Sequence, residues 1–266
     1  MPIAIVTGAS TGIGKAAAEA LARSGYRVFG TSRSAKSDGP TGVEMVACDV
    51  TDQDSVGRLV AHVLAEAGQI DLVVNNAGLG LVGGAEESSI AQVQALFDVN
   101  FFGAIRVINA VLPAMRQRGS GRILNVSSAL GLAPGPYLAH YSASKFALEG
   151  YSESVDHELR GFGIRVSLIE PAYTRTSMEG NSLVGDRPLP AYADIRARMH
   201  ALNAEFLANG DDPSVVADTI VRAARDPSPR LRYPAGKMAK QISLLRRLVP
   251  SRMFDKSLRK QLGLPA

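Results

Sequence analysis

The chain has 266 residues, 46% of them hydrophobic and 20% charged, a composition typical of a soluble globular protein with a sizeable core. A net charge of +4 and a sequence pI of about 9.3 are only mildly basic, which argues against a nucleic-acid binder. With a single cysteine, Cys48, the chain cannot form an internal disulfide, so we expect a cytoplasmic protein. We expect Cys48 itself to be a small buried side chain at a strand end.

The first segment, MPIAIVTGAS, lacks the basic leader of a signal peptide, and its apolar run soon gives way to Thr and Gly. No apolar stretch approaches the ~20 residues that a membrane span needs, so we expect no membrane span.

Seven short apolar and β-branched runs alternate with amphipathic segments along the chain. Near-continuous apolar runs are typical of strands buried on both faces, and the alternation predicts βαβ units with right-handed crossovers. We therefore predict an α/β fold: a Rossmann-type, doubly wound parallel sheet of about seven strands, with helices on both faces, in a single domain spanning 1–266. The predicted strands end at Gly8, Arg33, Val50, Gly78, Ser128, Pro171 and near Gly236, and the predicted helices occupy 14–25, 54–68, 92–119 and 142–163.

Two stretches depart from this alternation. Residues 178–213 form a long insertion, and residues 237–266 form a basic and apolar C-terminal tail. Insertions that follow the carboxyl ends of strands in such folds shape the ligand crevice. We expect a C-terminal helix over the cleft mouth or on a neighbouring subunit, and keep as the weaker alternative a peripheral contact with anionic lipid.

The glycine-rich turn TGASTGIG follows the first predicted strand and opens a helix. Its spacing is GxxxGxG rather than GxGxxG, but the physical argument is the same. Glycine permits a tight turn and a close approach of pyrophosphate, and the helix directs its free N–H groups at the phosphates. The predicted cofactor contacts in this turn are Gly8, Ser10, Thr11, Gly12, Ile13 and Gly14.

The end of the second predicted strand indicates which dinucleotide binds. It carries Arg33 and has no acidic residue until Asp38. An acid there would bind the ribose 2′-hydroxyl, whereas a guanidinium binds a 2′-phosphate. We therefore expect NADP(H), with Arg33 at the 2′-phosphate.

Tyr141 and Lys145 of the stretch YSASK stand four residues apart, on one face of a predicted helix, and Ser128 ends the preceding strand. Carbonyl reduction needs a hydride on carbon and a proton on oxygen, and Tyr141 is the best proton donor available. The Lys145 ammonium is expected to lower the pKa of the phenol, and Ser128 to hydrogen-bond the carbonyl oxygen. His140 is a competing acid, but it should point to another side of the helix.

Seven separated motifs follow one another along the chain: TGASTGIG, CDVTD, NNAG, DVNFFG, NVSS, YSASK and EPAYTRT. They occur in the order found in the short-chain dehydrogenases/reductases. The chain resembles this family, in the branch that includes 17β-hydroxysteroid and retinol dehydrogenases. The match covers 3–176, and the strand series extends it to about 236. It departs from the family at Ala172, where the family usually has Gly, and at Thr174, where it often has Val or Ile.

The resemblance implies further roles. The family spacing selects Ser128 rather than Ser127, and Asn100 would hold a water that connects Lys145 to solvent. Asp49 would meet the adenine, with Val50 beside it. The remaining implied cofactor contacts are Asn76, Ala77, Gly78, Tyr141, Lys145, Pro171, Thr174 and Thr176. The resemblance also implies a homodimer or homotetramer that packs segments around 92–118 and 140–161.

The expected substrate walls are 129–140 and the insertion. Their lining suits an apolar ketone, aldehyde or alcohol. No cluster of His, Cys and Asp has metal-ligand spacing, so we expect no metal. The predicted wall residues are Leu130, Leu132, Pro136, Tyr137, Met178, Leu183, Val184, Leu189, Tyr192 and Met199.

We therefore expect an NADP(H)-dependent carbonyl reductase or alcohol dehydrogenase. A non-catalytic NADP(H)-binding or sensing module is one alternative, although the presence of Tyr141 and Lys145 disfavours it. An epimerase or dehydratase on the same fold is another, and turnover without net cofactor oxidation would indicate it.

Overall fold

Strand β1, at Ile3–Val6, sets the pattern of the fold, because its four side chains are all buried and alternate between two cores. Ile3 and Ile5 pack into one core, while Ala4 and Val6 pack into the other. The computed structural model describes residues 1–34, 39–176 and 182–264. A strand buried on both faces requires a layer of helices on each side.

The main sheet has seven parallel strands in the order β3-β2-β1-β4-β6-β7-β9, which confirms the predicted fold class. A separate pair, β5 with β8, was not predicted. Most strands end two or three residues before the predicted limits, because the motif residues turn out of the sheet into loops. The strands are β1 Ile3–Val6, β2 Arg27–Ser32, β3 Val43–Ala47, β4 Leu72–Asn75, β5 Leu81–Val82, β6 Gly121–Val126, β7 Ile164–Pro171, β8 Leu183–Val184 and β9 Arg232–Ala235.

Helices cover both faces of the sheet. In one core, Val56, Val107 and Val155 come from three different helices, and in the other core, Leu21 and Ile220 come from two. Their apolar residues recur at helical spacing, which turns one stripe of each helix towards the sheet. The helices of the described residues are α1 Gly12–Arg23, α2 Gln53–Ala67, α3 Ile90–Phe97, α4 Gly103–Arg118, α5 Ala139–Leu159, α6 Ala193–Ala208, α7 Pro213–Arg225, α8 Lys237–Leu248 and α9 Ser251–Leu262.

The predicted helix over 92–119 is not regular. A π-helical turn at Asp98–Phe102 lies between α3 and α4. Such turns are rare and occur mostly as single turns inside α-helices, frequently at functional sites. The amphipathic pattern could not reveal it, since one wide turn barely changes the spacing of apolar residues.

One helical stretch, Ile90–Arg118, is long and apolar enough by length and composition to cross a membrane, contrary to the expectation that no segment approaches that limit. Its apolar residues have another explanation here. Val107, Ile108, Val111 and Met115 are fully buried in the core beneath the sheet. Core helices of soluble proteins meet the same length and composition criterion.

The insertion, within its described residues, is fastened to the segment before α3. Glu87 is almost fully buried and accepts hydrogen bonds from the backbone N–H groups of Gly84 and Leu189, at 2.8 and 2.9 Å. It also pairs with Arg196 of α6. These contacts hold α6 beside the carboxyl edge of the sheet.

Candidate active site

A cleft opens at the carboxyl edge of the sheet, where the chain leaves β1 in one direction and β4 and β6 in the other. Parallel α/β sheets bind ligands at such a switch point, because adjacent loops diverge there and leave a crevice. A groove of about 510 Å³ and a cavity of about 160 Å³ lie side by side along this edge. Ile13, Asn76, Gly78, Leu79 and Thr176 line both.

The glycine loop packs too closely for larger residues. Gly8 and Gly12 have φ values of +66° and +56°, which L side chains rarely adopt. A Cβ on Gly8 would lie 3.0 Å from the Ala77 Cα, and one on Gly14 would collide with the Gly8 carbonyl oxygen. Gly8 and Gly12 line the groove, while Gly14 is buried in α1 and keeps the helix against the loop.

Asn76 holds the loop in this position. Its backbone N–H donates to the Thr7 hydroxyl at 2.9 Å, and its side-chain amide donates to the carbonyls of Thr7 and Gly8 at 3.0 and 3.2 Å. The Ala77 N–H donates to the same Thr7 hydroxyl at 3.0 Å. The loop after β4 thereby fixes the loop after β1, a coupling that the sequence pattern alone does not reveal.

The groove brings together most of the predicted cofactor contacts. It runs from the first turn of α1 past the ends of β2 and β3 towards the cavity. The first residues of helix α1 line the groove, so the positive end of the helix dipole faces it. No side chain caps this end, and its first turn has no acidic residue to offset the positive charge. The predicted residues that line the groove are Gly8, Ser10, Thr11, Gly12, Ile13, Arg33, Asp49, Val50, Asn76, Ala77, Gly78 and Thr176.

Arg33 and Asp49 stand at the far end of this groove. Arg33 is exposed at the end of β2. Hydrogen bonds from the backbone N–H and hydroxyl of Thr51, at 2.9 and 2.7 Å, lower the pKa of Asp49, and the Arg33 charge lowers it further. The glycine turn and the helix end beside it fit the pyrophosphate of a dinucleotide. Asp38 lies outside the described residues.

Ser128, Tyr141 and Lys145 line the cavity together. Ser128 follows β6 and caps a short 3₁₀ turn, accepting a hydrogen bond from the Leu130 N–H at 3.1 Å. The Lys145 Nζ donates to the Val126 carbonyl at 2.9 Å and lies 5.7 Å from the centre of the Tyr141 ring.

The expected lowering of the Tyr141 pKa is not observed. Burial raises the pKa of Tyr141 to about 12, against a smaller lowering by Ser128. Burial also lowers the pKa of Lys145 to about 8, with Glu149 opposing that change. The physical reason is that surrounding protein atoms disfavour both charged forms, while the lysine ammonium points at a backbone carbonyl. Tyr141 therefore carries its proton at neutral pH.

Asn100 lies within the π-helical turn and is buried. Its Oδ1 accepts from the Leu79 N–H at 2.7 Å, and its Nδ2 donates to the Leu79 carbonyl at 2.9 Å and to the Ser144 hydroxyl at 3.1 Å. These bonds connect the loop after β4 to α5 between Tyr141 and Lys145. The water-holding role implied for Asn100 stays a prediction.

Pro171 and Thr174 line the cavity rather than the groove. Pro171 is the last residue of β7. Thr174 is buried, and its hydroxyl donates to the Ala172 carbonyl at 3.2 Å. The segment therefore lies where the groove and the cavity meet, beside Thr176.

The two competing residues differ in position. The His140 ring contacts the Ala85 carbonyl at 2.9 Å and does not line the cavity, whereas Ser127 lines the cavity beside Ser128. Cys48 is buried, as expected, and burial raises the pKa of its thiol. In the part of the chain that the structure describes, no group of three or more His, Cys, Asp or Glu residues could hold a metal ion.

A buried acidic cluster that the sequence did not indicate lies beside α5. Glu149 and Glu170 both face Arg232, whose Nε lies 3.0 and 3.4 Å from their nearest carboxylate oxygens. Burial, followed by the repulsion from Glu149, raises the pKa of Glu170 to about 8. One guanidinium is shared between these carboxylates and Glu153, so Glu170 retains its proton at neutral pH.

This cluster predicts that stability falls as the pH rises from acidic to mildly alkaline values. The folded-state pKa of Glu170 lies above its ordinary value of 4.5, so the unfolding free energy falls between pH 4.5 and about 8. The limiting slope is about 1.4 kcal/mol per pH unit. We expect Glu170→Gln to raise the unfolding free energy at pH 9 by about 1–3 kcal/mol and to change it little at pH 5.

Urea denaturation at both pH values measures this effect, with the exposed Glu205→Gln on α6 as the control. Equal pH dependence in wild type and Glu170→Gln would show that Glu170 is already ionised in the folded state.

Only some of the predicted wall residues line the active-site cavity. Leu130 lines the cavity, and Pro136, Tyr137 and Met199 line a neighbouring one. Leu183 lines the groove instead, and Met178 lies outside the described residues. Leu132, Val184, Leu189 and Tyr192 line neither cavity. Ala133, Leu138, Asn203 and Leu207 also line the cavity and lie within the two predicted wall segments, whereas Leu79, Val82 and Ile242 lie outside them.

The C-terminal tail forms α8 and α9, and the structure places them over the cleft, which was the preferred expectation. Ile242 reaches the cavity lining. The outward face of the pair exposes Leu244, Leu248 and Met253 beside Arg252. This outward face has the composition on which the anionic-lipid hypothesis rests.

Comparison with known proteins agrees with this geometry. The family model of the short chain dehydrogenases matches residues 2–185. The chain is 35% identical to the 3-ketodihydrosphingosine reductase of Bacteroides thetaiotaomicron over 262 residues, which covers 97% of this chain and 96% of the relative. It is 34% identical to retinol dehydrogenase 8 of Bos taurus over 268 residues, covering 93% and 85%.

Solved structures give the same result. A short-chain dehydrogenase from Streptomyces avermitilis has a TM-score of 0.84 and 33% identity, covering 98% of this chain and 97% of its own. A Burkholderia phymatum relative in complex with NAD has a TM-score of 0.80 and 25% identity, covering 97% and 95%. A metagenomic relative in complex with NADP has a TM-score of 0.67 and 30% identity, covering 87% and 95%. The chain therefore belongs to the short-chain dehydrogenase family of oxidoreductases.

Proposed function

We propose that the protein is an NADP(H)-dependent reductase of apolar ketones or aldehydes, able to run in reverse as an alcohol dehydrogenase. The observation that carries this proposal is the shared cavity of Ser128, Tyr141 and Lys145 at the end of a glycine-loop groove. A non-catalytic sensing module would not need a protonated phenol in the same cavity as a serine and a lysine. Relatives bind either NAD or NADP, so the choice of NADP(H) rests on Arg33.

In the proposed reaction, Ser128 and Tyr141 donate hydrogen bonds to the carbonyl oxygen and stabilise the charge that develops there. A bound NADPH supplies the hydride to the carbonyl carbon. The Tyr141 O–H bond breaks as the new alcohol O–H bond forms, leaving a phenolate. Lys145, with its pKa lowered to about 8, can return a proton to the phenolate near neutral pH. Asn100 holds the loop and helix around this pair.

The test is to follow NADPH oxidation with a panel of apolar ketones and aldehydes. Stoichiometric formation of alcohol and NADP supports the reductase. Turnover without net cofactor oxidation would instead support epimerisation or dehydration. NADPH binding without turnover on any compound would support the sensing alternative.

Arg33 is proposed to select the phosphorylated cofactor. A charge-assisted hydrogen bond contributes about 1.5–3 kcal/mol, so Arg33→Ala is expected to lower kcat/KM for NADPH by roughly ten- to a hundredfold. The value for NADH should change by less than about threefold, because the ribose then carries no phosphate. Steady-state kinetics with both cofactors measure the ratio.

Arg23→Ala is a matched control for this variant, since it removes an exposed arginine at the other end of α1. It should leave the ratio of NADPH to NADH unchanged. Equal losses with both cofactors in Arg33→Ala would contradict the assigned role.

The proposed assembly is a homodimer or homotetramer. Phe102 and Phe146 are 47% and 42% exposed, and both fall on the segments around 92–118 and 140–161 expected at the interface. Burying large exposed aromatic residues stabilises association. Light scattering of wild type and of Phe146→Glu tests this, with a shift to monomer expected for the variant.

A further inference from the structure

A second cavity of about 350 Å³ continues from the active-site cavity, away from the groove. Leu130, Tyr173 and Ile242 are among the residues that line both cavities, so the two meet without an intervening layer of protein. The mechanism proposed above uses only the first cavity. The second is therefore available to a part of the substrate that takes no part in the reaction.

The walls of the second cavity come from three directions. One wall is the loop 133–138, another is α6 with Leu202 and Phe206, and the roof is the pair α8 and α9 with Leu245 and Leu258. Among the described residues that line it there is no charged side chain, and only Asn203, Gln241 and Ser257 carry amide or aliphatic hydroxyl groups. Such a surface favours an uncharged apolar ligand over any ionic one.

Specific contacts attach the roof to the body of the protein. The Arg246 Nε donates to the Leu132 carbonyl at 3.2 Å, and its guanidinium lies 5.4 Å from the centre of the Phe254 ring. At the other end, the Arg198 Nη2 donates to the Leu262 carbonyl at 3.1 Å. The first bond attaches α8 to the loop wall, and the last attaches the end of α9 to α6. The cavity is thus bounded by the fold on the side away from Tyr141.

The sizes of the two cavities limit the shape of the ligand. The active-site cavity, at about 160 Å³, is smaller than the several hundred Å³ of an ordinary ligand pocket, so the reacting end of the substrate must be slim. The remainder must pass the junction beside Tyr173 and Ile242 before it reaches the larger space. A flexible unbranched chain can bend through this junction, whereas a rigid polycycle needs width next to its carbonyl.

We propose that the second cavity binds the unbranched alkyl chain of a long-chain ketone, aldehyde or alcohol whose oxygen is held at Tyr141. This proposal rests on the proposed function and specifies its substrate class. The alkyl chain displaces water from an uncharged surface to which both C-terminal helices contribute. The tail is thereby a specificity-determining part of the enzyme.

The first test is a series of methyl n-alkyl ketones reduced with NADPH. Each methylene that enters the cavity is expected to raise kcat/KM by about two- to fourfold, until the cavity is filled and the value levels off. Cyclic and aryl ketones with the same number of carbons should be poorer substrates than the linear ones. A series that shows no gain with length, or one in which the cyclic ketones are better, would overturn the proposal.

The second test uses matched tryptophan variants of α9. Leu258 lines the second cavity, whereas Met253 is 64% exposed on the same helix. In Leu258→Trp the added ring occupies the cavity, so the dependence of kcat/KM on chain length should flatten, with a loss of at least tenfold for the longest ketones. Met253→Trp should show the full dependence. A wild-type dependence that persists in Leu258→Trp would contradict this location for the chain.

Folding and turnover are controlled separately. If Leu258→Trp fails to fold, Leu202→Trp obstructs the same cavity from α6. A binding readout needs no chemistry: the longest ketone should raise the Tm of Met253→Trp but not that of the obstructed variant. If short ketones are reduced but kcat/KM does not rise with the length of the alkyl chain, only the proposed alkyl-chain site is overturned. Absence of all turnover, with the Tm shift present, overturns only the proposed reductase.

Discussion

Replacement of Tyr141 by phenylalanine is expected to lower kcat for ketone reduction by about 10²–10⁴-fold, the range typical of a general acid. The phenol carries its proton at neutral pH, because burial raises its pKa to about 12, and phenylalanine offers no proton in its place. The ring itself is preserved, so the walls of the cavity change little. Both kcat and kcat/KM should fall, because proton donation is made only in the transition state.

Tyr173→Phe is the matched control for this experiment. It removes the same hydroxyl from another phenol that lines the cavity, on the segment after β7. Its kcat should stay within about threefold of the wild-type value, since this phenol has no assigned role in proton transfer. If Tyr141→Phe retained kcat within tenfold of wild type, the proton would have to come from another group, and the assignment would be wrong.

Replacement of Asp156 by alanine is expected to lower the unfolding free energy by about 2–3 kcal/mol, because a buried N–H and two partly exposed guanidiniums lose their shared acceptor. Asp156 is fully buried near the end of α5. Its carboxylate accepts from the Arg160 Nη2 at 2.5 Å, the Arg165 Nε at 2.8 Å and the Val166 N–H at 2.9 Å. Alanine leaves these donors without an acceptor and loosens the join between α5 and β7.

The pH dependence of this effect has a defined sign. Burial alone would raise the pKa of Asp156, but the hydrogen bonds from Arg165, Val166 and Arg160 outweigh it and lower the pKa from 3.8. The stabilisation is therefore complete above about pH 4, and it is lost as the pH falls through the folded-state pKa. The difference between wild type and variant should be constant from pH 6 to 8 and shrink in acid.

Denaturant unfolding across this pH range measures the difference, with Asp218→Ala as the control. Asp218 is exposed on α7, and its loss should cost less than about 1 kcal/mol. A loss of stability in Asp156→Ala no larger than in Asp218→Ala would show that the network contributes little.

The order of the elements and the position of the cleft followed from local patterns in the sequence. Short apolar runs such as Ile3–Val6 are typical of strands buried on both faces, and parallel strands require crossovers that bring their carboxyl ends to one edge. Gly8, Gly12 and Arg33 could be assigned because glycine geometry and charge act within a few residues of their own position. Tyr141 and Lys145 could be paired because one helical turn separates them.

The chemistry of the cavity depended on contacts that the sequence does not record. The pKa of Tyr141 moved opposite to expectation because burial outweighs a lysine that points at the Val126 carbonyl. The cluster of Glu149, Glu170 and Arg232 joins a helix to two strands far apart in the chain.

Local pattern determined the fold, the cleft and the candidate site residues, since periodicity, glycine and charge each act over a few residues. Only the tertiary structure decided the protonation of the site, the wide turn that carries Asn100, and the roof that α8 and α9 build over a second cavity. The pKa shift that burial causes depends on every neighbouring atom, and a cavity depends on how elements distant in sequence pack against one another.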